Sequence, residues 1–129
     1  MTSPHPVLAK IFRHAERCYP NEAVGALFAK NGTIIEAVEA VNISDKANRF
    51  EVNPIEVLRI QKQADQTGFE MVGWYHSHPD GEPIPSKLDA DCAFEGQICM
   101  IVSVKQGIAA EFRCWKFEGG NYKQISAIL

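Results

Sequence analysis

Two histidines, His76 and His78, stand two positions apart in the run GWYHSHPDGEPIPSKLDAD that begins at Gly73. Residues 70–76, EMVGWYH, read as a β-strand. Side chains at i and i+2 of a strand leave the same face, so both imidazoles are aimed at one spot. Pro79 to Pro85 holds three prolines and a glycine and reads as a loop, and a short helix is predicted from Ser86 to about Phe94. With Ser86 as N-cap, Asp89 falls in the first turn of that helix. A strand end, its loop and the next helix start lie close in space. Two imidazoles and one carboxylate can then converge on one cation. That donor set suits Zn²⁺ and leaves a fourth position for water. Asp91 lies about 200° round the helix from Asp89 and is expected to face elsewhere. The blander readings stay open at this point: a polar strand end, and an S-x-x-D pattern that is only a capping box. Trp74 and Tyr75 read as strand packing.

The elements that must position these groups follow from periodicity and punctuation. Residues 6–18, PVLAKIFRHAERC, place Val7, Leu8, Ile11, Phe12 and Ala15 on one helical face, with Ser3 ahead of Pro4 or Pro6 as the start. Tyr19-Pro20-Asn21 breaks that helix. Residues 23–29 form a buried strand, Asn31-Gly32 a hairpin turn, and 33–41 the return strand, although this run also fits a short helix. Asn42 to Asn48 is a polar loop, and Arg49 to Val52 a short edge strand. Asn53 and Pro54 open a second helix that runs to about Thr67, where Gly68 stops it. Residues 98–104 read as a fully buried strand, and strands at about 109–117 and 121–127 flank Gly119-Gly120. Helices outside a largely antiparallel sheet make an α+β layered domain.

Composition bounds the function. The chain has 129 residues, which predicts one domain over 1–129. Its 46% hydrophobic and 22% charged residues exclude a disordered or low-complexity chain. With 13 basic and 16 acidic residues and a net charge of −3, it lacks the clustered basic face of a nucleic-acid binder. No apolar run approaches the roughly 18 residues of a membrane span. The N-terminus lacks the apolar core of a secretory signal, so the cytoplasm is the expected location. Cys18, Cys92, Cys99 and Cys114 include no Cys-x-x-Cys pair and read as reduced, mostly apolar fillers.

His76-Ser77-His78, seven residues, Ser86, two residues, Asp89 resembles the signature of the JAMM (MPN-plus) metalloproteases, with Pro79 and Gly73-Trp74 also similar. That family has an upstream glutamate near the end of its first helix, often in a setting like YPNEACGLL. Here Tyr19-Pro20-Asn21-Glu22-Ala23-Val24-Gly25-Ala26-Leu27 puts Glu22 in that place. Val24 and Ala26 depart from the common cysteine and glycine, and neither touches a chemical role. The resemblance spans roughly residues 5–117. It implies a mixed α+β fold, a curved and largely antiparallel sheet flanked by helices, layered as in cytidine deaminases.

It also implies metal-assisted hydrolysis of a peptide or isopeptide bond. One Zn²⁺ per chain with a bound water would be held by His76, His78 and Asp89. Glu22 would be the general base and proton donor to the leaving amine. Ser86 would offer its hydroxyl to the oxyanion. Relatives act on ubiquitin or on prokaryotic ubiquitin-like and sulfur-carrier proteins near a C-terminal Gly-Gly. The short span from Glu22 to Asn53, close to a minimal core, favours the small prokaryotic branch and a ubiquitin-fold sulfur carrier as partner. Nucleic acid and membrane are not expected partners, and oligomeric state is left open. The stretch 47–52, with Arg49, Phe50 and Glu51, is a candidate edge strand for an extended substrate tail. Two other classes are a non-catalytic MPN scaffold and a two-His-one-carboxylate iron oxygenase. Scaffolds lack ligands that this chain has. The oxygenases place an acidic residue beside the first His and have no use for a glutamate base.

Overall fold

The computed structural model describes residues 5–46, 48–91, 93–126 and 129. Ser3, Pro4, Ala47, Cys92 and residue 127, on which expectations above also bear, lie outside them, as does the side chain of Asp91. Helix α1 is Pro6–Cys18, and its cap is His5, whose ring Nδ1 accepts the N–H of Val7 at 3.2 Å. Strands β1 (Val24–Lys30) and β2 (Thr33–Ala40) form the expected hairpin. Asn31 and Gly32 both have positive φ, 53° and 81°, as a type I′ turn requires. Helix α2 (Pro54–Thr67) is capped by Asn53, with Gly68 in the left-handed region at φ 76°. Then come β3 (Glu70–Pro79), α3 (Lys87–Asp91), β4 (Ile98–Lys105), β5 (Ile108–Glu118) and β6 (Asn121–Ile125).

The six strands form one open sheet in the order β2-β1-β3-β4-β5-β6. Only β3 and β4 run parallel; the other neighbours are antiparallel. The chain alternates faces along β3. Tyr75 packs with Ile11 and Ala15 of α1, and with Leu27, Met100 and Val102, in one core. Trp74 packs with Ile60 and Ala64 of α2, and with Val24 and Phe28, in the other. The sheet is therefore a central layer with α1 and α2 on opposite faces. Gly73 lets β3 and β4 close up: a Cβ there would lie 1.7 Å from the carbonyl oxygen of Ile98.

Three local expectations are corrected. Strand β3 does not end at residue 76 but continues to Pro79, because parallel pairing with β4 persists through His78↔Ser103 and Pro79↔Val104. Helix α3 ends at Asp91 rather than Phe94. Residues 49–52 form no strand. Their backbone is clamped by one side chain instead: Asn42 Oδ1 accepts the N–H of Glu51 at 3.1 Å, and Asn42 Nδ2 donates to the Arg49 carbonyl at 3.1 Å. No helix among the described residues is long and apolar enough to cross a membrane.

Candidate active site

From Trp74 onward the even-numbered side chains of β3 leave the sheet on the α2 face, and at its C-terminal end these are His76 and His78. Their Nε2 atoms are 3.1 Å apart, and each lies 3.2 Å from Oδ2 of Asp89 in α3. Ligand atoms about 2.0–2.1 Å from a tetrahedral Zn²⁺ lie roughly 3.3 Å from one another. The three donor atoms thus already form the base of a tetrahedron of that size. Two neutral imidazoles and a carboxylate are also the right donors for this ion.

Each donor is oriented from behind. His78 Nδ1–H donates to the carbonyl of Glu82 at 2.8 Å, so that on loss of the Nε2 proton the neutral ring would turn that lone pair to a cation. His76 Nδ1 lies 3.7 Å from Cys99 Sγ on β4, and the ring of Phe50 sits against its face with centroids 4.8 Å apart. Asp89 is placed by the capping box: its N–H donates to Ser86 Oγ at 3.1 Å, and Ser86 N–H donates to its Oδ2 at 2.9 Å. The intervening loop is tethered to the sheet. Asp80 N–H donates to the Val104 carbonyl at 2.6 Å, and Trp115 Nε1–H to the Pro83 carbonyl at 3.1 Å.

Glu22 reaches the site through the sheet register. β1 begins with the antiparallel pair Val24↔His76, so the residue two before the strand, Glu22, comes level with His78 two further along β3. Ser77 N–H donates to the Ala23 carbonyl at 3.1 Å, and Ser77 Oγ accepts the Ala23 N–H at 2.8 Å, extending the pairing up to Glu22. Glu22 is only 5% exposed, and its Oε1 has no hydrogen-bond partner. It lines an open groove of about 480 Å³ together with His78 and Ser86. Glu22 and Ser86 therefore face one space beside the three donors.

Burial and charge set the protonation states. Burial pushes the Glu22 carboxyl up to about 7, although the charge of His78 pulls it down. Burial lowers His76, although the Asp89 carboxylate pulls the other way. Burial also lowers His78, but hydrogen bonds to Asp89 and the Glu82 carbonyl outweigh it and raise the group. For Asp89, burial pulls upward, and hydrogen bonds from His76, His78 and the Ser86 amide hold the carboxyl well below its usual range. An ionised carboxylate between two imidazoles is the state a cation needs.

Of the residues expected to bind substrate, Phe50 lies at the site, against His76. Arg49 and Glu51 are exposed, and the Glu51 backbone is already committed, its carbonyl accepting the Ile43 N–H at 2.9 Å. The Glu51 N–H and carbonyl are thus both taken up within the chain, and the segment is not itself a strand. Sequence reasoning missed Cys99, Ser77 and Asn42. Each acts across a long sequence separation, and none carries a spacing signal. Tyr75 is buried as expected, and its hydroxyl lies 2.6 Å from His14 Nδ1. Cys18, Cys99 and Cys114 are free.

Residues 4–118 match the family of prokaryotic homologs of the JAB domain. The chain is 29% identical over 94 residues to the Desampylase of Pyrococcus furiosus, covering 73% of this chain and 65% of that protein. It thus spans just under two thirds of that relative's length. It is 27% identical over 114 residues to the Desampylase of Haloferax volcanii, covering 85% of this chain and 79% of that protein. A JAB1/MPN domain protein from Archaeoglobus fulgidus shares the fold, with a TM-score of 0.62 at 19% identity over 94% of this chain and 91% of that one.

Proposed function

This chain belongs to the family of prokaryotic homologs of the JAB domain, and we propose on that premise that it is a zinc-dependent isopeptidase or peptidase acting on a ubiquitin-like protein. Two of the relatives it resembles are Desampylases, and that likeness supports a ubiquitin-like substrate. The finer reading is hydrolysis directly after the C-terminal Gly-Gly of a ubiquitin-fold sulfur carrier. The observation that carries the proposal is the donor triangle of His76, His78 and Asp89 with a buried, unpartnered carboxylate beside it.

Zinc held by His76, His78 and Asp89 would acidify water and polarise a carbonyl. The remaining work falls to two side chains. Glu22 is buried, with its carboxyl near 7, which suits a group that must both accept and release a proton at neutral pH. It takes the proton of the attacking water and returns it to the leaving nitrogen. Ser86 accepts the Asp89 N–H through its oxygen, so its own hydroxyl proton is left to donate to the oxyanion. The capping box therefore fixes a ligand and an oxyanion donor together. A Gly-Gly tail suits this site because glycine lets a backbone pass close to its walls.

The test is a mass-spectrometric digest of a ubiquitin-fold carrier with a C-terminal extension, its second-glycine-to-alanine variant and the free tail peptide. Cleavage after Gly-Gly is expected for the carrier. The alanine variant should lose at least tenfold in kcat/KM, about 1.4 kcal/mol of transition-state binding. The free peptide should be cut poorly. Equal cleavage of all three would make the protein a general peptidase and remove the sulfur-carrier reading.

A further inference from the structure

A second cavity touches the donor triangle from another side. It holds about 240 Å³ and is walled by Phe50, Val57, Trp74, Phe94, Cys99 and Tyr122, with His76 and Asp89 at its inner end. It shares no lining residue with the groove that holds Glu22 and Ser86. Four aromatic rings and a thiol make an apolar interior. Burial holds that thiol protonated, so it adds no charge. The volume is below the roughly 300–1,000 Å³ that takes a drug-sized ligand and suits a single side chain. Trp74, Phe94 and Gln97 line this cavity and also bound a separate hollow. Phe94 is 76% exposed, a large apolar ring held at the wall of this chamber rather than in a core.

We propose that this chamber is a specificity pocket for an apolar side chain on the leaving side of the scissile bond, so that the protein selects a linear C-terminal extension beginning with an apolar residue. The inference rests on the Gly-Gly reading above. An acyl side that ends in two glycines has no side chain to fill a chamber beside the scissile bond, which leaves the leaving segment. A lysine arm in an isopeptide must leave the chamber again to reach the protein that carries it, whereas an apolar side chain on a linear extension can end inside it.

The experiment compares zinc-loaded protein on four substrates: a ubiquitin-fold carrier ending Gly-Gly-Phe-Ala, Gly-Gly-Gly-Ala or Gly-Gly-Asp-Ala, and the same carrier joined through Gly-Gly to a lysine side chain. The phenylalanine substrate should exceed each of the other three at least tenfold in kcat/KM, within the range apolar pockets achieve. Val57→Phe, which fills the chamber, should bring the Phe-to-Gly ratio below threefold. Phe94→Ala, at an exposed position that folding does not depend on, should do the same by opening the wall. A readout independent of turnover is the NMR shift of the Val57 methyl groups on titration with Phe-Ala amide, with no shift from Gly-Ala amide. Equal rates on the three linear extensions, or fastest cleavage of the lysine conjugate, would overturn the pocket while leaving the Gly-Gly reading intact. Failure to cleave any of the four would overturn the Gly-Gly reading. The methyl titration would then still judge the chamber: a shift specific to Phe-Ala supports it, and no shift removes it.

Discussion

The hydroxyl of Ser77 accepts the backbone N–H of Ala23 at 2.8 Å, deep in the sheet. The residue between the two histidines thereby holds the residue next to Glu22. Ser77→Ala would orphan a buried amide, which costs about 1–3 kcal/mol. It should also lower kcat while the zinc content stays near one per chain, because Glu22 loses its positioning and the three ligands do not. Urea melts, elemental analysis and turnover on one preparation check this. Zinc lost in step with activity would show that Ser77 supports the ligands instead.

His78→Ala should remove most of the zinc from a chain that remains folded. His78 lies at the strand end, half-buried, outside both packed cores. Circular dichroism and elemental analysis suffice as the measurement. Full zinc in that variant would show that the ion is held elsewhere.

Ser86 has two proposed tasks that substitution can separate. Ser86→Ala should cost roughly 1 kcal/mol through the lost cap and cut turnover by roughly 10- to 1000-fold through the lost donor. Asparagine is also a good cap but is longer, so Ser86→Asn should keep the melting temperature and not the activity. Recovery of both by asparagine would reduce Ser86 to a cap.

Glu22 makes a prediction about pH and stability in the metal-free protein. Its carboxyl moves from an ordinary 4.5 to about 7 by burial. Between those values the folded chain keeps a proton that the unfolded chain has released, so stability falls as pH rises through the window. The full effect is on the order of 3 kcal/mol. Glu22→Gln cannot ionise, so its advantage in melting temperature over the wild type should grow from pH 4.5 to above pH 7. A difference that stays constant across that range would mean that Glu22 is not held in the buried setting described.

The convergence of His76, His78 and Asp89 was legible because its information is local. Two-residue spacing on a strand and a serine cap before an aspartate fix directions within a few residues of the chain. The hairpin at Asn31-Gly32 and the limits of α2 at Asn53 and Gly68 were legible for the same reason. Glu22 was visible only through its likeness to a family motif, because its neighbour in space, His78, is set by sheet register. Cys99 behind His76 and Asn42 beside Glu51 had no local signal at all. The stretch 49–52 misled because a run such as Arg-Phe-Glu-Val alternates like a strand, and only the distant Asn42 side chain decides where its backbone bonds go. Strand β3 was read too short because the residues after His76 include a proline, which a strand tolerates where its nitrogen is not needed as a donor.

The central claim is that Glu22 moves the proton for hydrolysis at a site whose metal it does not hold. Glu22→Gln keeps the shape of the side chain and removes the base. The most direct measurement is an intact-mass time course on a ubiquitin-fold carrier extended beyond Gly-Gly, using wild type and Glu22→Gln preparations each shown to carry one zinc. The wild type should trim the carrier to Gly-Gly, and the variant should do so slower by a factor on the order of 10²–10⁴. Equal rates in the two zinc-loaded proteins, or zinc lost on replacing Glu22, would contradict the account.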